Sequence, residues 1–201
     1  ILSTILSIYL FQIFLTIKFS GSLGEISKKI SLYENSTGNK YDIRTKFEVH
    51  NELKKTNDDI AVIMSPSFGL EYFGQQHLND NLFPLSGFSN KKTINCNENG
   101  YYSIFQSDRF GFNNPDTEWD SEEIEFLLVG DSFTLGSCVN RPHDIASKLR
   151  IFSNQNVLNL GYVANGPLFQ YATLREYLED NVKNIIWFYY ENDIFDLDRD
   201  L

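Results

Sequence analysis

Three mainly apolar, β-leaning runs, Ile124–Val129, Val157–Leu160 and Ile185–Tyr190, alternate with two helical candidates, and this constrains the fold more than anything else in the chain. Pro142–Ile151 and Pro167–Asp180 both open on a proline, which suits a first helical turn. The second places Leu168, Tyr171, Ala172 and Leu178 along one face. Strand–helix–strand–helix–strand at this spacing predicts right-handed crossovers and a parallel sheet covered on both faces. Sites in such sheets form beyond the carboxyl ends of the strands. Here those ends carry Gly130-Asp131-Ser132, then Asn159 to Pro167, then Glu191-Asn192-Asp193, so the three loops are expected to converge.

The first loop carries the chemistry. An apolar run stopping at Gly130-Asp131-Ser132 delivers a serine onto a tight turn before a helix. Such a turn holds a hydroxyl clear of the sheet and aims backbone N–H groups at the same place, as attack on an acyl carbon requires. The plain alternative is a helix-capping serine. A Gly-x-Ser-x-Gly elbow fails because Thr134 stands in the last glycine's place, and a P-loop fails because no lysine follows Gly136.

Taken together, the Gly-Asp-Ser turn, the glycine-bearing second loop and Asn192-Asp193 resemble the SGNH/GDSL hydrolase family, most firmly over residues 124–201. Ser107-Asp-Arg-Phe-Gly-Phe-Asn113 is similar to the lead-in of its exported bacterial members. The resemblance implies a three-layer α/β/α fold with a parallel, flavodoxin-like sheet, incomplete at the C-terminus and preceded by an N-terminal hydrophobic helix. It implies Ser132 as nucleophile, with the backbone N–H of Ala164 and the side chain of Asn192 as oxyanion donors beside the serine N–H. Ala164 stands where the family usually has glycine, which leaves Gly161 as a rival donor. Tyr190 stands where the family has the glycine of Gly-x-Asn-Asp. Asp193 is expected to stiffen its loop.

The base is missing from this pattern. The family supplies it from an Asp-x-x-His segment near its C-terminus, and nothing here fills that role. His143 lies at the start of a helix, directly after Pro142, His50 belongs to an early helix, and His77 falls in an irregular stretch. The expectation is a chain truncated at both ends and inactive alone, whose full-length form hydrolyses or transfers an O-acyl ester on an acylated cell-envelope carbohydrate or small molecule. A non-catalytic glycan-binding module on the same fold is the alternative, with Tyr101, Tyr102, Phe105, Phe110 and Phe112 as candidate stacking rings. A flavodoxin-like domain of unrelated chemistry finds no Gly-x-Gly-x-x-Gly to support it.

Composition bounds the partners. The 201 residues are 42% hydrophobic and 22% charged with a net charge of −10, ordinary for a folded domain. No basic stripe is interleaved with aromatics, so nucleic acid is not an expected partner. Neither a cofactor nor a metal is expected, since the two cysteines and three histidines have no ligand spacing. Ile1 to Ile17 carries no charge and is rich in Leu, Ile and Phe, so residues 1–19 read as a signal-anchor helix. A cleaved signal peptide and a buried helix are its rivals. Residues 20–40 read as a polar tether and 41–201 as the α/β domain, membrane-anchored or exported, facing the periplasm or exterior. There Cys96 and Cys138 form either one disulfide or two buried thiols.

Overall fold

The computed structural model describes residues 2–66 and 84–200, the side chains of 2–5, 15–23 and 198–200 excepted. His77, with the rest of residues 67–83, lies outside the described residues. The chain divides into one unit of residues 1–43 with 99–101 and a second of residues 44–98 with 102–201.

In the first unit, α1 runs over Leu2–Thr37. The stretch read as a tether is therefore helical as far as Thr37. Glu25, Lys28, Lys29, Leu32 and Glu34 are good helix formers and outweigh Gly21 and Gly24, each costing about 1 kcal/mol. The helix stops at Gly38, whose φ of 71° is left-handed and whose N–H returns to the Glu34 carbonyl at 2.9 Å. Among the described residues no helix is long and apolar enough to cross a membrane.

The second unit contains two sheets. In the smaller, β1 (Ile60–Val62) pairs parallel with β2 (Lys92–Ile94), which pairs antiparallel with β3 (Ile104–Gln106). Helix α2 (Lys46–Lys54) starts at a capping box between Thr45 and Glu48 and buries Val49 against Ile60 and Ile94.

The larger sheet is wholly parallel, in the order β5-β4-β6, with β4 spanning Ile124–Val129, β5 Val157–Asn159 and β6 Val182–Trp187. The fold is thus mixed helix and strand, α/β in kind, around a three-stranded parallel sheet. Ile124, Leu127, Leu128 and Val129 are wholly buried, as a central parallel strand requires. Helix α3 is the single turn Ser132–Leu135. Helix α4 (Ile145–Ser153) packs Ala146 and Leu149 against Leu128, while α5 (Pro167–Tyr177) brings Leu174 and Tyr177 to the cluster around Leu127. Alternate β4 side chains thereby meet different helices. Helix α6 (Asp193–Asp200) follows β6.

Three boundaries differ from the sequence reading. The last strand lies three residues earlier than Ile185–Tyr190, because pairing with β4 runs from Ile124↔Val182 to Val129↔Trp187. Helix α4 begins at Ile145, not Pro142, because the Asp144 carboxylate caps the Ser147 N–H at 2.9 Å. Helix α5 buries Phe169, Gln170 and Thr173 and leaves Leu168, Tyr171 and Leu178 exposed. The expected apolar face is therefore not the buried one, since hydrogen bonding compensates Gln170 and Thr173 for burial.

Candidate active site

The strand order turns back around β4, with β5 on one side and β6 on the other, so the loops after these strands flank the end of β4. Each of the two outer loops is tied to the central one. After β5, the Asn159 amide donates to the Thr134 carbonyl at 2.6 Å and the Tyr162 N–H reaches the Gly130 carbonyl at 3.3 Å. After β6, the Phe188 N–H meets the Val129 carbonyl at 2.8 Å, and the Asn192 amide donates to the Asp131 carboxylate at 2.9 Å. The rings of Phe133 and Tyr190 lie 4.2 Å apart, on either side of the same seam. The expected convergence of the three loops is present.

Close packing explains the glycines. A Cβ on Gly130 would lie 2.1 Å from Thr134 Oγ1, and one on Gly161 would lie 2.5 Å from the Leu135 nitrogen. The strand end presses against the Thr134 side chain and the second loop against the backbone of α3, which leaves no room for a side chain at either point.

Ser132 opens α3 and is half-buried. Asp131 precedes it as the cap and accepts from the Phe133 N–H at 2.9 Å. A first-turn N–H has no partner within its helix. Among the described residues neither the Ser132 N–H nor its Oγ has a hydrogen-bond partner. The Ala164 N–H is also unpartnered among them, and Ala164 adopts a φ of 53°. That left-handed conformation suits glycine best. The N–H of Gly161, the rival donor, is held by Asn159 Oδ1 at 2.8 Å.

Asn192 is bound more tightly than expected. Its Nδ2 donates to Asp131 at 2.9 Å and also to Asp196 at 3.0 Å, while its buried Oδ1 has no partner. The amide is therefore held between two carboxylates. Asp193 is fully buried and accepts from the Tyr190 N–H and from Gln170 Nε2, both at 2.6 Å. Burial pushes its carboxyl above the ordinary range, against those two hydrogen bonds and with a smaller push from Asp131 and Asp196. Gln170, 1% exposed, also bonds the Asn165 carbonyl at 2.8 Å and the Trp187 indole N–H at 2.6 Å. One side chain of α5 thus fastens the second and third loops together.

The lead-in segment braces this arrangement. Asn113 donates to the Leu135 carbonyl at 3.0 Å, and Asn114 bonds both the N–H and the carbonyl of Asn159 at 2.9 Å. Phe105 and Phe112 are core residues, and Phe110 packs its edge against Trp119 and Tyr177. Phe105 and Phe112 are thus taken up in the core, while Phe110 keeps 39% of its surface exposed.

No described histidine reaches the serine. His143 is exposed ahead of α4, its N–H bonded to the Asn140 carbonyl, and His50 sits on α2. Among the described residues no group of three or more His, Cys, Asp or Glu could hold a metal ion. Sequence reasoning missed Asp196, Asn159 and Gln170 as parts of the site. Asn159 carried a signal, a polar residue closing an apolar strand; Gln170 and Asp196 carried none. Compared with family models, with curated proteins and with solved structures, the chain matches none.

Proposed function

We propose that this chain is the core of an SGNH-type serine esterase or O-acyltransferase with a flavodoxin-like sheet, acting on an acylated cell-envelope carbohydrate. The Ser132 oxygen attacks the ester carbonyl carbon and loses its proton to a base. The N–H groups of Ser132 and Ala164, joined by one N–H of Asn192, hold the negative oxygen. Collapse breaks the acyl C–O bond, the departing alcohol takes the proton, and an acyl-serine is left. Water then gives an esterase, and a sugar hydroxyl gives an acyltransferase. The base is a histidine from outside the described residues.

The observation carrying this reading is that, among the described residues, the Ser132 hydroxyl and N–H are unpaired and so is the Ala164 N–H on the second loop, where three strand-end loops meet. Export or membrane anchoring belongs to the same proposal. It is supported by the disulfide joining Cys96 to Cys138 and by the uncharged run from Ile1 to Ile17.

A second reading, a glycan-binding module without catalysis, draws on a specific feature. Both Asn192 N–H groups are already engaged, and the exposed Phe133–Tyr190 ring pair beside Ser132 suits a sugar face. Hydrolysis of p-nitrophenyl acetate by the full-length protein separates the two. Expected is turnover that Ser132→Ala lowers by about a thousandfold or more. Equal turnover by the variant excludes Ser132 as nucleophile; no turnover by either, with retained glycan binding, selects the second reading.

A further inference from the structure

Away from the parallel sheet, a cavity of about 650 Å³ opens between α2, β1 and the chain at Phe88 to Lys91. None of its lining residues belongs to the loops around Ser132. Its volume falls in the range of small-molecule clefts, about 300–1,000 Å³. Phe47, Ile60, Val62, Met64 and Phe88 give it an apolar wall. Three of these stay in water, Phe47 at 72%, Phe88 at 50% and Met64 at 40% exposure. Such a contiguous apolar surface is costly to leave uncovered.

The polar part of the lining is entirely cationic or basic: Lys46, His50 and Lys91. Lys46 and His50 are four residues apart on α2 and so share a face. Lys91 is already paired with Asp59. Lys46 has no such partner among the described residues, and burial pushes its ammonium below the ordinary lysine range. A half-buried ammonium without a counter-charge, beside an uncovered apolar wall, stands out in a chain of net charge −10. One kind of molecule answers both features, an anion with an apolar tail.

We propose that this groove binds a free fatty-acid carboxylate, with its tail along the Phe47, Met64 and Phe88 wall and its head on Lys46. The site is independent of the chemistry at Ser132. A divalent metal is a poor fit to this lining, and a neutral lipid leaves the Lys46 charge unanswered.

Calorimetric titration with laurate below its micelle concentration, and with lauryl alcohol as neutral counterpart, tests this. Expected is saturable 1:1 binding of laurate, about tenfold tighter than the alcohol, the scale of one hydrogen bond between charged groups. Lys46→Gln should remove that preference while leaving alcohol binding within about threefold, and Met64→Glu should weaken both ligands. Circular dichroism checks that the variants stay folded; both positions are partly exposed, so both should. Failure of laurate to saturate the wild-type protein, equal affinity for acid and alcohol, or an unchanged preference in Lys46→Gln overturns the proposal.

Discussion

Two residues at the seam hold their positions for opposite reasons. Ala164 adopts φ 53°, where a Cβ costs about 1–2 kcal/mol. An alanine-to-glycine change elsewhere usually loses about 0.5–1 kcal/mol to chain entropy. The two terms oppose each other, so Ala164→Gly is expected to be neutral or to stabilise by up to about 1 kcal/mol, measured by urea unfolding. A clear loss would mean that the methyl group packs productively. Asn192 is fixed by charge instead. Turning its amide over would set Oδ1 against two carboxylates, so its two N–H groups must face Asp131 and Asp196. An oxyanion drawing on Asn192 must therefore displace one of them, giving up one hydrogen bond to gain another of similar strength.

At the scale of elements, the lead-in to the parallel sheet is organised by one carboxylate. Asp108 is wholly buried and accepts from the N–H groups of Phe110 and Phe112, the Asn114 amide and the Trp119 indole, at 2.8–2.9 Å. Burial nevertheless pushes its carboxyl above the ordinary aspartate range, against those four bonds. The native state then binds this proton more tightly than the unfolded chain. The stability contributed by Asp108 is therefore present in acid and is lost as pH rises from the ordinary aspartate range through the raised value. Asp108→Asn leaves one acceptor oxygen among four donors and should destabilise by about 2–4 kcal/mol near neutrality. The gap between the two proteins should be larger at about pH 4 than at about pH 7, as denaturant midpoints would show. A gap that widens with pH would mean the charged form is the one favoured. Exposed Asp116 and Asp120, held low by Arg109, slope the other way and lose their contribution as pH falls. Strand β4 was legible to the residue because its mainly apolar run, broken only by Glu125, ends at its turn. Strand β6 slipped because Trp187-Phe188-Tyr189-Tyr190 continues the same signal, and only pairing with β4 sets its end. Strands β2 and β3, three residues each, exist through their partners and leave no local trace. The serine turn was readable because Gly130, Asp131 and Ser132 are adjacent; the partners of Asn192 were not, since Asp131 lies 61 residues away.

Over the second unit as a whole, the question is what keeps the small sheet fixed to the large one. Phe105 of β3 joins the cluster around Leu127 and Leu158, the Ile104 N–H meets Asn140 Oδ1 at 2.9 Å, and Arg141 reaches the Gln106 carbonyl at 2.9 Å. The Cys96–Cys138 disulfide runs parallel to these contacts, joining the chain after β2 to the chain after α3 across 42 residues of sequence. Closing a loop of that size restricts the unfolded chain by about 4 kcal/mol in the chain-entropy account, with about 2–4 kcal/mol the usual measured effect. Cys138 lies six residues beyond Ser132, so the bond also anchors the far end of the serine turn. Replacing both cysteines with alanine should lower stability by about 2–4 kcal/mol, read from guanidinium unfolding, and dithiothreitol should destabilise the parent but not the variant. Unchanged unfolding on reduction would show that the contacts of Phe105, Asn140 and Arg141 hold the two sheets together without the covalent link.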